Sequence, residues 1–532
     1  MHRPPLQTLL LYLRTARHLE PVQIYARLLP RPRLEQPGPL QLRPLTGRWR
    51  EPIPKTSGHL GQNRFNFLNQ EREVASWNEP SASKLWLYNL HYFEHVHDEL
   101  VRRWIAENPP GEGLGWDPYP TSRRIANWCK WIFNGATPGP AVYASLGIQA
   151  RWIEMRLERH LLANHLLANA KALLFAGALF EGEHSRRWLA TGLRILDQEL
   201  PRQFLSDGAH VERSPMYHSI ILEDMLDLCN LGLLSDGLLP DLSGYASRML
   251  GWLDQMCHPD GEISFFNDAA LGVAPELYAL HAYARRLGLR PVSVVLGESG
   301  YRRLEDGRTV VIFDAAPLGP DYQPGHSHAD TLSFELSREG RRVLVNSGTS
   351  TYDEGAVRTF ERGTAAHNTI RIDATNQSEM WRAFRVARRA RPFQVKTDHR
   401  SYVEAAHDGY HRLRPKITHR RRIELAGDTV ILQDWLEGRG QHRAELLFHV
   451  APGAHPRIQL DPRMIREVVA STYRPGFNSA VANLTVVGHW SGECPVHFTT
   501  RIDLAGSLGP AAGARGEGVI ETLARIRQTT GD

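Results

Sequence analysis

Four short stretches gather side chains able to move protons, hold a carboxylate or ligate a metal. In residues 160–180, HLLANHLLANAKALLFAGALF, a helix puts His165 and Asn169 on one face, with Asn164 about 100° round from His165. Polar residues on such an apolar helix more often satisfy bonds between helices than meet a ligand. Residues 207–224, DGAHVERSPMYHSIILED, carry Glu212, Arg213, Tyr217 and His218 on a loop ahead of an apolar helix. Loops of this kind often hold functional groups, but the stretch also reads as a plain helix start with Ser214 capping and Pro215 in the first turn. In residues 324–355, His326, His328 and Asp330 alternate just before a strand and so point to one side. That pattern suits either a metal or a proton-transfer pair. Residues 362–392 add His367, Asn368 and Trp381, then Arg385, Arg388, Arg389 and Arg391, a cluster that reads first as a solvated face. The candidate substrate contacts are His165, Glu212, Arg213, His218, Arg124, Asn127, Asn368 and Trp381.

Two kinds of element must position these groups. Through about residues 85–288 the apolar period is helical: Trp188, Leu189, Leu193, Leu196 and Leu200 recur every three or four residues, with Ser185 expected as the N-cap. Residues 221–234 repeat the pattern, and residues 275–287 open on proline and stop at Gly288. Beyond Pro291 the period becomes two, in residues 331–338 and 443–450, and residues 308–313, 341–346, 368–373 and 429–435 also read as strands. Helices followed by strands imply separate layers rather than an alternating βαβ sheet, and no glycine fingerprint supports a nucleotide fold. The expected division is an extension with one short helix (residues 1–80), a helical domain (81–290) and an antiparallel β domain (291–532).

Bulk composition narrows the partners. A net charge of +5 on 532 residues suits an anionic ligand but is too small and dispersed for nucleic acid. Cys129, Cys229, Cys257 and Cys494 have no paired spacing and read as thiols. The first residues contain only a short apolar run and no clean cleavage site, and no window has the length of a membrane span. Cytoplasm is therefore the default expectation, with periplasm as the alternative.

The motifs ANH (163–165), SPMYH (214–218), HSHAD (326–330), VNSGT (345–349) and HNTI (367–370), in this order, resemble the heparinase II/III-like polysaccharide lyase family, which includes some alginate lyases. The resemblance implies an incomplete (α/α) toroid followed by an antiparallel β-sandwich, with a cleft between them. It implies that Asn164 contacts a uronate carboxylate, and that Tyr217 and His326 are the catalytic tyrosine and histidine. Some relatives hold a structural zinc, for which His328 and His367 match two ligands while Asn346 stands at the acidic third position. A neutral amide is a weaker ligand there.

The implied substrate is an acidic, uronate-containing polysaccharide. Breaking its bond to O4 requires a base at the uronate C5 proton, an acid at the leaving oxygen and fixed donors for the developing charge. Tyr217 suits the acid role because a phenol is neutral near pH 7. The base is His326 if the two groups flank opposite sugar faces, or tyrosinate if they share one. A uronate C5-epimerase needs the same proton abstraction, and a non-catalytic glycan-binding protein of polysaccharide assembly or export is the other alternative.

Overall fold

The computed structural model describes residues 5–28, 34, 38, 40–234 and 237–508. From Lys84–Tyr92 to Leu277–Arg286 the chain is helical, and from Tyr301–Glu305 to Val481–Asp503 it is built mainly of strands. In the helical part, Ala163–Leu179 is apolar on all sides and buries every residue except His165, as a helix without a polar face must. It packs between Pro118–Phe133, Pro140–Met155, Glu183–Gln203 and Pro215–Gly232. Its N-terminus thereby comes to lie beside the start of Pro215–Gly232, where Ser214 caps the helix by accepting from Tyr217 N at 3.1 Å. The expected cap at Ser185 is not formed. Gly182 precedes Glu183–Gln203, and Ser185 lies inside the helix, its hydroxyl donating to the Gly177 and Phe180 carbonyls.

Most of these strands form one twelve-stranded antiparallel sheet, while Met380–Trp381 and Arg385–Val386 pair separately. Its spine is Thr429–Val450 paired along Val481–Asp503, with the register shifting between Leu436 and Gly440. The two strands expected at 429–435 and 443–450 are thus one bent strand, whose irregularity lets its halves face different partners. Phe334–Arg338 was expected to alternate between core and solvent, yet all five residues are buried. Its polar members meet the helical part: His258 bonds Glu335 at 3.0 Å and Ser337 at 2.6 Å. Both faces of this strand are covered, so alternation in the sequence does not mark an open face.

The stretch before residue 80 holds more than one short helix. Pro5–Ala16 and Pro21–Leu28 are helical, and His59–Gly61, Arg64–Phe67 and Gln70–Glu73 form a small sheet. Asn69 Nδ2 donates to the Phe477 carbonyl at 3.0 Å and Asn478 Nδ2 to the Leu68 carbonyl at 2.9 Å, tying that sheet to the strand-rich half. All four cysteines are free thiols. Among the described residues no helix is long and apolar enough to cross a membrane.

Candidate active site

Side chains from both halves meet at Tyr217 and His326. Their rings stack with centroids 3.8 Å apart and planes 28° from parallel. His326 Nδ1 bonds Asp268 Oδ2 at 2.9 Å, and its Nε2 lies 3.8 Å from Glu212 Oε2. Glu212 in turn receives both Asn164 N (3.2 Å) and Asn164 Nδ2 (2.8 Å). This carboxylate therefore caps the helix Ala163–Leu179 and fixes the amide at its start. Asn164 Oδ1 is buried with no hydrogen-bond partner, and the amide nitrogen keeps a second hydrogen to donate. A helix N-terminus also favours negative charge, so the amide and its helix present a donor-rich corner to an incoming carboxylate.

Asp268 organises the histidines. It is wholly buried, and besides His326 it bonds His328 Nε2 at 2.9 Å and both terminal nitrogens of Arg358, Nη2 at 2.8 Å. Burial alone would raise its pKa, but the Arg358 guanidinium and the two imidazoles hold the carboxyl well below its ordinary value. An ionised Asp268 favours the His326 tautomer with hydrogen on Nδ1, leaving Nε2, the nitrogen nearer Glu212, bare. Tyr217 Oη lies 3.1 Å from Tyr352 Oη. Burial, then the neighbouring phenol, pushes the Tyr217 pKa well above its usual value. Tyr352 reaches this point from the VNSGT loop, where Gly348 has φ 85° and a Cβ would lie 2.0 Å from the Arg474 carbonyl oxygen. Only glycine fits that approach.

His165 stands at the rim, 26% exposed, bonded to Glu158 at 3.0 Å and packed 4.8 Å from the Tyr119 ring. Burial is the largest single effect on its pKa and lowers it, but the charge and hydrogen bond of Glu158 together with the Glu212 charge outweigh it, so the balance is upward.

Several expected substrate contacts are turned elsewhere. Arg124 is buried against the Trp104 ring at 3.8 Å and donates to Gln149 and the His91 and Gly115 carbonyls. Asn127 holds the Tyr92 carbonyl at 2.9 Å. Arg213 reaches the Ser299 and Val211 carbonyls. His218 packs 4.3 Å from Trp252 and bonds Met249 O, with burial driving its pKa down to about 3. Asn368 binds the Phe334 and Val345 carbonyls and the His449 amide. Trp381 is buried under the N-terminal helix, donating to Thr15 at 3.1 Å. In each case backbone groups or the core, which single-residue reading does not reveal, absorb the polar or aromatic side chain.

The expected metal set also changes. Asn346 is committed to the backbone: its Nδ2 donates to Phe265 O at 3.0 Å and its Oδ1 accepts from Asn368 N at 3.4 Å. The acid beside the two histidines is Asp330. One ligand atom each from His328, Asp330 and His367 lies within 4.8 Å of the others. Both ring nitrogens of His367 and Nδ1 of His328 are buried without hydrogen-bond partners, an arrangement that is unfavourable unless something else coordinates them. Burial lowers the pKa of both histidines, that of His328 to about 4, and raises that of Asp330. Bare imidazole nitrogens with a carboxylate fit a zinc ion, and the Asp268–His328 bond supplies the outer support such ligands need.

Asp268, Tyr352 and Arg358 were not singled out from the sequence. The TYDEG stretch directly after VNSGT carried a hint of Tyr352, but Asp268 and Arg358 have no spacing signal at 58 and 90 residues from the groups they bind.

Comparisons with known proteins bear on the family and the fold. Residues 141–284 match the heparinase II/III N-terminus and residues 289–487 the heparinase II/III-like C-terminal region. A heparin-sulfate lyase of Pedobacter heparinus is 28% identical over 245 residues, covering 40% of this chain and 36% of that protein. One of Bacteroides thetaiotaomicron is 26% identical over 262 residues, covering 40% and 37%. The matches thus span little more than a third of the length of these curated relatives. Among solved structures, the heparan sulfate lyase of Pedobacter heparinus aligns at TM-score 0.54 and 17% identity, over 85% of this chain and 82% of that one. A heparinase III structure aligns at 0.60 and 18%, over 76% and 72%. The helical half, the antiparallel sheet and the motifs shared between them place this chain in the heparinase II/III-like family.

Proposed function

We propose that the protein is a carbon–oxygen lyase that cleaves a uronate-containing acidic polysaccharide by β-elimination. The observation that carries this reading is the stack of Tyr217 on His326, with Asp268 behind the imidazole and the Asn164–Glu212 pair beside it. Heparin-sulfate lyases among the relatives support the same class. In this reading the helices of residues 81–290 form an incomplete (α/α) toroid, residues 291–532 a β-sandwich, and residues 1–80 an extension, with the sugar chain between the two domains. Asn164 donates to the uronate carboxylate and, with its helix terminus, stabilises the charge that develops there. The stack holds Tyr217 and His326 on one side, so the tyrosine serves both roles: its phenol, neutral at rest, passes its proton to His326 Nε2, whose imidazolium Asp268 stabilises, and the tyrosinate removes the C5 proton. The phenol so re-formed protonates O4 as it leaves, and the imidazolium then restores the resting phenol.

The experiment is incubation of purified protein with heparan-type chains, alginate, hyaluronan and bacterial exopolysaccharides. Absorbance of the new 4,5-double bond, accompanied by chain shortening, is the expected result. Exchange of the C5 hydrogen at constant chain length would replace the lyase reading with an epimerase, and binding with no chemical change on any glycan would leave only a binding protein.

His328, Asp330 and His367 are proposed to hold one structural zinc. Bound there, it would tie the HSHAD segment to the HNTI segment and relieve the unpartnered ring nitrogens. Elemental analysis of protein prepared with zinc should give about one ion per chain, lost in Asp330→Asn and in His367→Ala. Metal-free protein from zinc-supplemented medium, with unchanged thermal stability on adding zinc, would rule the site out.

A further inference from the structure

Among the described residues the two N-terminal helices leave an apolar face without a partner. Leu6, Leu9 and Leu13 fall on one side of Pro5–Ala16 and are 68%, 53% and 58% exposed; Ile24, Tyr25 and Leu28 on Pro21–Leu28 are also exposed. The helix is not loose. Its other side packs Leu11 into a cluster with Trp381 and Ala387, sets Tyr12 edge-on to Trp381 at 4.8 Å, and accepts the Trp381 indole hydrogen at Thr15. The exposed leucines are therefore held outward by a fixed helix, where isolated exposure would have been unremarkable.

Arginines border this face. Arg17 follows Pro5–Ala16, Arg27 lies on Pro21–Leu28, Arg382 lies on the loop beneath them and Arg385 at the end of that loop, 5.0 Å from both the Tyr12 and Trp381 rings. Among the described residues none of these four makes an ion pair with a carboxylate. The nearby acids are occupied: Glu379 by Arg14 and Arg388, Asp321 by Arg389 and Arg391, and Glu20 by Arg202. Burial and the adjacent Arg385 charge both lower the pKa of Arg27, so positive charge is crowded here. A second copy meeting this face about a two-fold axis would bring like charges together. An apolar stripe edged by arginine instead matches an interface of acyl chains below anionic headgroups.

We propose that Pro5–Ala16 and Pro21–Leu28 form a docking face for a negatively charged lipid surface, the leucine stripe entering the interface and the arginine border meeting the headgroups. The same loop carries Phe384, whose ring lies 6.3 Å from His326 and 5.3 Å from Tyr352. Docking would therefore hold the cleft close to the bilayer, where a membrane-associated glycan could enter it.

The test is sedimentation of the full chain with vesicles of phosphatidylcholine alone and of phosphatidylcholine mixed with phosphatidylglycerol. The expected result is binding to the anionic vesicles that weakens with salt and falls about tenfold or more in Leu9→Asp/Leu13→Asp. Arg17→Ala/Arg27→Ala should lose much of the preference for anionic over neutral vesicles. Thermal unfolding checks that both variants fold, and both replace exposed side chains. The proposal is overturned if the parent chain stays in the supernatant with both vesicles, or if the aspartate variant sediments as well as the parent. A doubled mass in light scattering that the aspartate variant abolishes, without vesicle binding, would assign the face to a second copy and overturn it too.

Discussion

Tyr217→Phe is expected to lower the rate of unsaturated-product formation by about a thousandfold while leaving the protein folded. The substitution removes one oxygen. The ring that stacks on His326 at 3.8 Å stays, as does the backbone bond from residue 217 to the Ser214 cap. The lost contact in the free protein is the 3.1 Å bond to Tyr352, worth about 1 kcal/mol. The chemistry loses more, because the leaving O4 then departs as an alkoxide with no proton donor at hand. An interaction made only in the transition state lowers kcat and leaves KM nearly unchanged. Initial rates followed by double-bond absorbance over a range of substrate concentrations, beside thermal unfolding curves, make the measurement. Retention of more than about a tenth of the parent kcat would remove Tyr217 from the acid role.

The outline of this machine could be read from hydrophobic periodicity. The change from spacings of three and four to alternation after Pro291 locates the change from helices to strands, because periodicity reports which face of an element is covered. It reported less well where both faces are covered, as in Phe334–Arg338, or where one strand bends, as in Thr429–Val450. Asn164, Tyr217 and His326 were legible because motif order tied them together, and the structure brings them to one place through Glu212 and the Tyr217–His326 stack. Side-chain direction was not legible. Arg124, Arg213 and Asn368 look like ligand contacts by type, but each satisfies carbonyls inside the scaffold. The acid beside the metal-type histidines was misassigned for the same reason, since position alone could not show Asn346 bonding the backbone while Asp330 faces the imidazoles. Asp268 is the least legible group of the site. A lone aspartate on a loop carries no pattern, and its meaning lies wholly in the three partners that folding brings to it.

That convergence makes Asp268→Asn the second large prediction: a fall in stability of about 3–5 kcal/mol and a separate fall in kcat of about a hundredfold or more. The carboxylate accepts from His326, His328 and Arg358 in a fully buried position. An asparagine offers one acceptor atom where two served, and its amide hydrogens face groups that are themselves donors. Arg358 is then left as an uncompensated buried cation, which accounts for the stability loss. Because the folded-state pKa of Asp268 is depressed, the contribution it makes is intact at neutral pH and is lost only as pH falls through that lowered value. The loss in rate has a different origin: His326 is no longer held with its hydrogen on Nδ1, and its imidazolium is no longer stabilised. The two effects separate in Arg358→Met/Asp268→Asn, where removal of the buried cation should restore much of the stability and none of the rate. Unfolding by denaturant and kcat, measured on the single and double variants, decide the matter. Recovery of both together in the double variant would make Asp268 a scaffold residue alone, and a single variant that loses stability at full kcat would separate it from the chemistry of His326.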